Sequence, residues 1–257
     1  MSDFFGFNGY SREPEGFLSW QHLVFVTIIM IIMAGLAIFF GLRNKNKTEK
    51  EKNKILIIAA ISIDSFELIK IILLCFRQHN PLQWLYVLPL FLCSIQLITI
   101  PLAAFSKGRI REASLDFVFI FGLLGAVLGT YGAGNNYAAY PVLSFDNVVS
   151  AITHAISGFS ALYIGISGML NMKKENIWIT YLIMGAFCLV AYIVDKILPY
   201  NYMFLIRADG TPYEIVYSMV GGVEIIYSIL VVVLFVVYIS LFYGIHFLIK
   251  NHKTKRA

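Results

Sequence analysis

The chain has 257 residues, 59% of them hydrophobic and 14% charged, with a mean hydropathy of +0.76 and a formal net charge of +5. A soluble domain is nearer about 45–50% apolar and about 25% charged, so this composition excludes an ordinary soluble protein and specifies an integral membrane protein. The basic residues form no patch interleaved with a soluble fold, which leaves no nucleic-acid reading.

Taken in order, residues 1–18 carry no basic leader and no small-residue cleavage site, and are expected to form an uncleaved outer interfacial segment. Seven stretches then reach the roughly 20 apolar residues a bilayer span needs. They are 19–42, 55–76, 83–105, 113–132, 147–170, 177–198 and 217–249. The last is long for one bilayer and is expected to tilt or protrude. The fold class is therefore all-α, a polytopic bundle of seven transmembrane helices over 19–250, followed by a basic tail at 251–257.

Orientation follows from Lys and Arg. The connections "RNKNKTEKEKNK", "SKGRIREAS" and "NMKKEN" and the tail "KNHKTKRA" hold fifteen of the twenty. The opposite side has Arg12, Arg77 and Arg207, while Lys70 and Lys196 lie inside spans. The N-terminus is thus expected outside and the C-terminus in the cytoplasm, in the cell membrane. Two outer connections, "AGNNYAAYPVLSFD" and "PYNYMFLIRADGTPYEI", are rich in Tyr and Asn and suit a wet aromatic rim. Cys75, Cys93 and Cys188 all fall in apolar stretches, a spacing that makes neither a disulfide framework nor a zinc site, and no metal or cofactor motif is present.

Ionisable groups within spans are costly and tend to be functional or paired inside the bundle. At 1.5 Å per residue, Cys93 is expected roughly 15 Å below the outer surface and His154 roughly 10 Å. Glu67 falls roughly 13 Å, Asp64 roughly 18 Å and Glu224 roughly 10 Å below it. Five polar groups on four helices then share the outer half of the membrane. Helical spacing puts Pro89, Cys93, Gln96 and Ile100 on one stripe of the third span, facing the bundle interior. Pro89 removes the helical bond to the Leu85 carbonyl, which protein or water must then satisfy. Ser150, His154, Ser157, Ala161, Gly165 and Gly168 share a face of the fifth span, where small residues admit a close neighbour.

An isolated thiol in an apolar pocket is inert, but an adjacent imidazole can take its proton and make it a nucleophile. Glu67 or Asp64 would then orient the imidazole as the third member of a triad, unless Lys70, three residues from Glu67, claims the carboxylate. Cys75 and Cys188 read as packing.

In order along the chain, "FLSWQHLVF" with His22, "LPLFLCSI" with Cys93, "FVFIFGLLGAVLGTY", "AITHAISG" with His154, and "PYNYMFL" with Asn201 and Tyr202 resemble the bacterial YwaF-like integral membrane proteins. Phe91 departs from that pattern, where a histidine is usual. The group is in turn similar to a vertebrate multispan phospholipid acyltransferase and, more distantly, to androgen-induced-gene type lipid hydrolases. The resemblance implies Cys93 as nucleophile and His154 as base, acting on the acyl ester of a membrane lipid or transferring to a lipid-anchored protein. Gln96 and Asn201 would help hold a carbonyl or headgroup. The alternative is a non-catalytic transporter or sensor, in which Asp64, Glu67, Lys70 and Glu224 line a proton or solute path. The residue pattern names neither acyl donor nor acceptor, nor an oligomeric state.

Overall fold

The computed structural model describes residues 2–254, so residues 255–257 of the expected basic tail lie outside the described residues. The described residues are helical and form no strand. The helices are α1 (Ser2–Phe5), α2 (Trp20–Asn44), α3 (Glu49–Arg77), α4 (Gln96–Phe105), α5 (Gly108–Tyr131), α6 (Gly134–Ala139), α7 (Phe145–Ser167), α8 (Lys174–Ile197), α9 (Glu214–Met219) and α10 (Glu224–Thr254), with 3-10 turns at Gln83–Tyr86 and Tyr202–Phe204. Five of them are long and apolar enough to cross a membrane: α2, α5, α7, α8 and α10.

Small residues decide how the bundle packs. Helix α7 lies at its centre, against α5, α2 and α3, and α4 sits between α3 and α5. A Cβ on Gly122 of α5 would come 2.8 Å from the Ser157 carbonyl of α7, and one on Gly158 would come 2.7 Å from the Ala126 methyl. The two backbones therefore nearly touch, and Ser157 Oγ donates to the Gly122 carbonyl across the gap at 3.1 Å. This is the close approach that small residues permit between helices in lipid. Helix α10 closes the other side, packing Tyr227, Val231, Phe235 and Ile239 into a core shared with α5 and α8.

Helix ends follow local chemistry. Thr48 and Glu51 form a reciprocal cap at the start of α3, and the Thr48 hydroxyl holds the exposed Glu51 carboxyl below its ordinary range. Three expected spans differ from the sequence reading. The stretch 55–76 lies within one helix, α3, but that helix is not among the five long and apolar enough to cross. The stretch 83–105 is not one helix, because regular helix begins only at Gln96. Pro89 cannot donate a helical bond and pushes Leu88 toward extended backbone, while Ser94 hydrogen-bonds Phe91 and competes with helix formation. Cys93 therefore lies in a turn rather than on a helical stripe. The stretch 217–249 is also interrupted. Gly221 and Gly222, with φ of +60° and +74°, break the chain between α9 and α10. Glu224 is the first residue of α10 and not 10 Å along it.

The N-terminal segment is tied down by Glu15, which accepts from the Val142 amide at 2.7 Å, and by a charged cluster. Arg77 at the end of α3 makes two hydrogen bonds to Asp146 at the start of α7, 2.7 and 2.6 Å. The Tyr10 hydroxyl donates to the same carboxylate at 2.5 Å, and Arg77 also reaches the Phe5 carbonyl. The two charged side chains are only 9% and 12% exposed, so losing one partner strands the other in a largely dry site. Asp146→Ala is expected to destabilise the protein by about 3 kcal/mol, read as a lower unfolding midpoint in mild detergent. Burial, reinforced by Asp146, pushes the Tyr10 hydroxyl from 10.0 up to about 12. Its contribution is fully present below pH 10 and lost as pH rises toward 12, so the unfolding midpoint of wild type in mild detergent should fall over that window. Tyr10→Phe should lack that step.

Candidate active site

The turn before α4 carries the thiol. The Leu85 carbonyl, left without a helical donor by Pro89, accepts a hydrogen bond from the Tyr202 hydroxyl at 2.9 Å. The Leu88 amide donates to the same hydroxyl at 3.1 Å. At the far end of the turn Ser94 Oγ accepts from the Phe91 amide and donates to the Phe91 carbonyl, 3.0 and 3.1 Å. The Phe91 ring packs 5.0 Å from that of Tyr202 and 5.9 Å from those of Tyr200 and Phe204. An aromatic cage thus occupies the position where the resemblance leads one to look for a second histidine.

Helix α7 carries the imidazole. His154 Nδ1 lies 2.6 Å from the Ser150 carbonyl, one turn earlier. A carbonyl oxygen only accepts, so Nδ1 holds a proton and Nε2 is the ring nitrogen turned away from the Ser150 carbonyl. That edge points toward α5. A methyl group on Gly129 would overlap His154 Cδ2 and Nε2, and a Cβ on Gly125 would lie 3.3 Å from Cys93 Cα. The two glycines are one helical turn apart, so together they open a notch on α5 that admits the Cys93 turn and the His154 ring side by side. Within it the Cys93 thiol and the His154 imidazole act on each other electrostatically. Both are half-buried and line a cavity of about 230 Å³.

The remaining expected site residues fall into two groups. Glu67 lines the same cavity, but its carboxylate is paired with Lys70 at 2.6 Å, and the hydrogen bond that orients His154 comes from the Ser150 carbonyl. Lys70 lines the cavity too and acts electrostatically on both Cys93 and His154. Among the described residues it is the one Lys or Arg that lines this cavity, a place its spacing from Glu67 does not disclose. Outside the cavity wall are the others. Asp64 is exposed on another face, beside Leu97 and Pro101. Gln96 is buried at the start of α4, its Oε1 accepting from Thr99. Glu224 pairs with Lys196 and accepts from Tyr192. Asn201 braces its own loop through the Arg207 carbonyl, Asp209 and the Ile206 amide. His22 accepts from the Leu18 amide and donates Nε2–H to the Thr130 carbonyl, and its ring stacks on Tyr137 at 3.8 Å, joining α2 to the end of α5.

The notch makes a sharp expectation. Gly129→Ala must expel the His154 ring and is expected to cost about 1–3 kcal/mol in stability and to remove the influence of His154 on Cys93 alkylation. Gly185→Ala on α8, where nothing lies within 4 Å, should be near neutral in both measurements.

A family model matches residues 17–252, and the chain belongs to the TMEM164 family of multispan membrane proteins. No curated protein matches it, and no solved structure does.

Proposed function

For a TMEM164-family membrane protein built in this way, we propose an acyl-transfer enzyme with Cys93 as nucleophile and His154 as general base. The resemblance to YwaF-like proteins and their lipid-modifying relatives points the same way. The observation that carries the reading is the shared cavity. Two residues sixty-one positions apart line it, and the Ser150 carbonyl occupies His154 Nδ1, which leaves Nε2 for the role of base in this reading.

The chemistry follows from that geometry. His154 Nε2 takes the Cys93 proton, and the thiolate attacks the carbonyl carbon of a lipid acyl ester. The ester C–O bond breaks, and the departing alkoxide takes the proton from Nε2–H, leaving an acyl thioester on Cys93. An acceptor hydroxyl or amine, or water, then gives its proton to Nε2 and attacks the thioester. The acyl group leaves on the acceptor, and the sulfur recovers the proton. In this reading the Lys70 ammonium, on the cavity wall, opposes the negative charge that develops at the carbonyl oxygen. Tying Nδ1 to a backbone carbonyl does for His154 what a carboxylate does in a triad.

In this reading the seven segments α2, α3, the 83–105 turn and half-helix, α5, α7, α8 and α10 all cross the cell membrane, with the N-terminus outside. The substrate is a membrane lipid or lipid-anchored protein that reaches the cavity from the bilayer. The geometry favours this over a carboxylate-lined transport path, since Glu224 pairs with Lys196 outside the cavity and Asp64 is exposed beside Leu97 and Pro101, which leaves Glu67 alone of the three on the cavity wall.

Intact-protein mass spectrometry after incubation with membrane lipids tests the proposal. A hydroxylamine-labile acyl mass is expected on wild type and absent from Cys93→Ala, with acyl transfer lost in both Cys93→Ala and His154→Ala. Full turnover by either variant would overturn the assignment.

A further inference from the structure

We propose that Tyr202 is a positioning residue for Cys93: its hydroxyl sets the turn that holds the thiol against His154. The inference rests on the Cys93–His154 reading and adds to it a residue from the α8–α9 connection that does not touch the reacting atoms.

Tyr202 bridges the two backbone groups that Pro89 leaves in need. Its hydroxyl donates to the Leu85 carbonyl and accepts from the Leu88 amide, taking the place of an absent turn of helix. Buried backbone groups of this kind must be paired, and here both pair with one oxygen. From Leu88 the chain runs five residues to Cys93, and the Phe91 ring between them rests on the Tyr202 ring. The start of the turn and its middle are therefore set by the same side chain.

Tyr202 is itself held from several directions. It is fully buried, and its amide donates to Asp195 Oδ1 at 2.7 Å. The next two residues, Met203 and Phe204, adopt φ of +55° and +57°, which disfavours side-chain-bearing residues. That conformation persists because neighbours over-determine it: Tyr227 donates to the Phe204 carbonyl at 2.7 Å, and Ser228 to the Leu205 carbonyl at 2.6 Å. Strain held next to Tyr202 by hydrogen bonds from α10 is what a fixed anchor needs, and a side chain serving only to fill space would not need it.

The test uses the full chain with Cys75 and Cys188 replaced by Ser, in mild detergent, so that Cys93 is the sole thiol. Its alkylation by iodoacetamide is timed at one pH. Tyr202→Phe keeps the ring and removes the hydroxyl. It is expected to slow alkylation about tenfold when His154 is present and to change it less than about twofold in a His154→Ala background. That disappearance is the signature of action through the thiol–imidazole pair. Asp195→Ala, which frees the Tyr202 amide, should reproduce the effect, while Asp195→Asn, which keeps an acceptor oxygen, should stay within about twofold of the parent. The Asp195 pair carries the test if Tyr202→Phe does not fold.

An equal change in both histidine backgrounds would mean that Tyr202 only controls access, and would overturn the proposal. So would no change in either background, with the Cys93–His154 reading still intact if His154→Ala alone slows alkylation. No effect of His154→Ala would instead overturn that underlying reading.

Discussion

The structure depends on how closely α5 and α7 can approach. Lipid offers no hydrophobic drive to bring two apolar helices together, so their association rests on contact area and on hydrogen bonds between backbones. Gly122, Gly158, Ala126 and Ala161 supply the contact, and Ser157 supplies the bond. Further along the same contact, Gly125 and Gly129 leave room rather than fill it, and that room is where the thiol and the imidazole meet. A single glycine-bearing face thus joins the two helices at one level and opens the cavity at the next. Bulk added anywhere along it would trade one use against the other.

The cavity shows how a membrane protein holds irregular backbone. The 87–95 segment makes few helical bonds, and polar backbone is tolerated at membrane depth only where protein satisfies it. Here side chains do so from both sides: Ser94 from within the turn and Tyr202 from the α8–α9 connection. The charges near it are balanced locally, Glu67 by Lys70 and Asp146 by Arg77, and His154 is tied to a carbonyl.

Much of this was legible in the sequence. Length and hydropathy located α2, α3, α5, α7 and α8 to within a few residues, and the small-residue face of α7 was visible as a spacing. Depth counting puts Cys93, His154, Glu67, Asp64 and Glu224 in one half of the membrane; the first three line one cavity, while Asp64 and Glu224 lie outside it. What failed did so where helical periodicity was extended across a breaker. Pro89 was read as a lost hydrogen bond within a helix, whereas with Ser94 it ends the helix altogether. Gly221 and Gly222 were passed over inside an apolar run, which misplaced Glu224. The carboxylate sought for His154 was a search for a side chain, while the partner is a backbone carbonyl one turn away. No residue type announces such a partner. Tyr202 was noted only as part of a motif, because its role needs two segments more than a hundred residues apart to be seen in contact.

That separation governs when the site comes into being. Cys93, His154 and the α5 notch are all present once α7 is made, yet the turn that aims the thiol is clasped from residues 195–204, and these are braced in turn by Tyr227 and Ser228 of α10. On the proposed roles of Cys93, His154 and Tyr202, the thiol and the imidazole are then made well before they are aligned. The pair matures in that reading only when the last helix has packed, so a partly made chain carries the thiol without its reactivity.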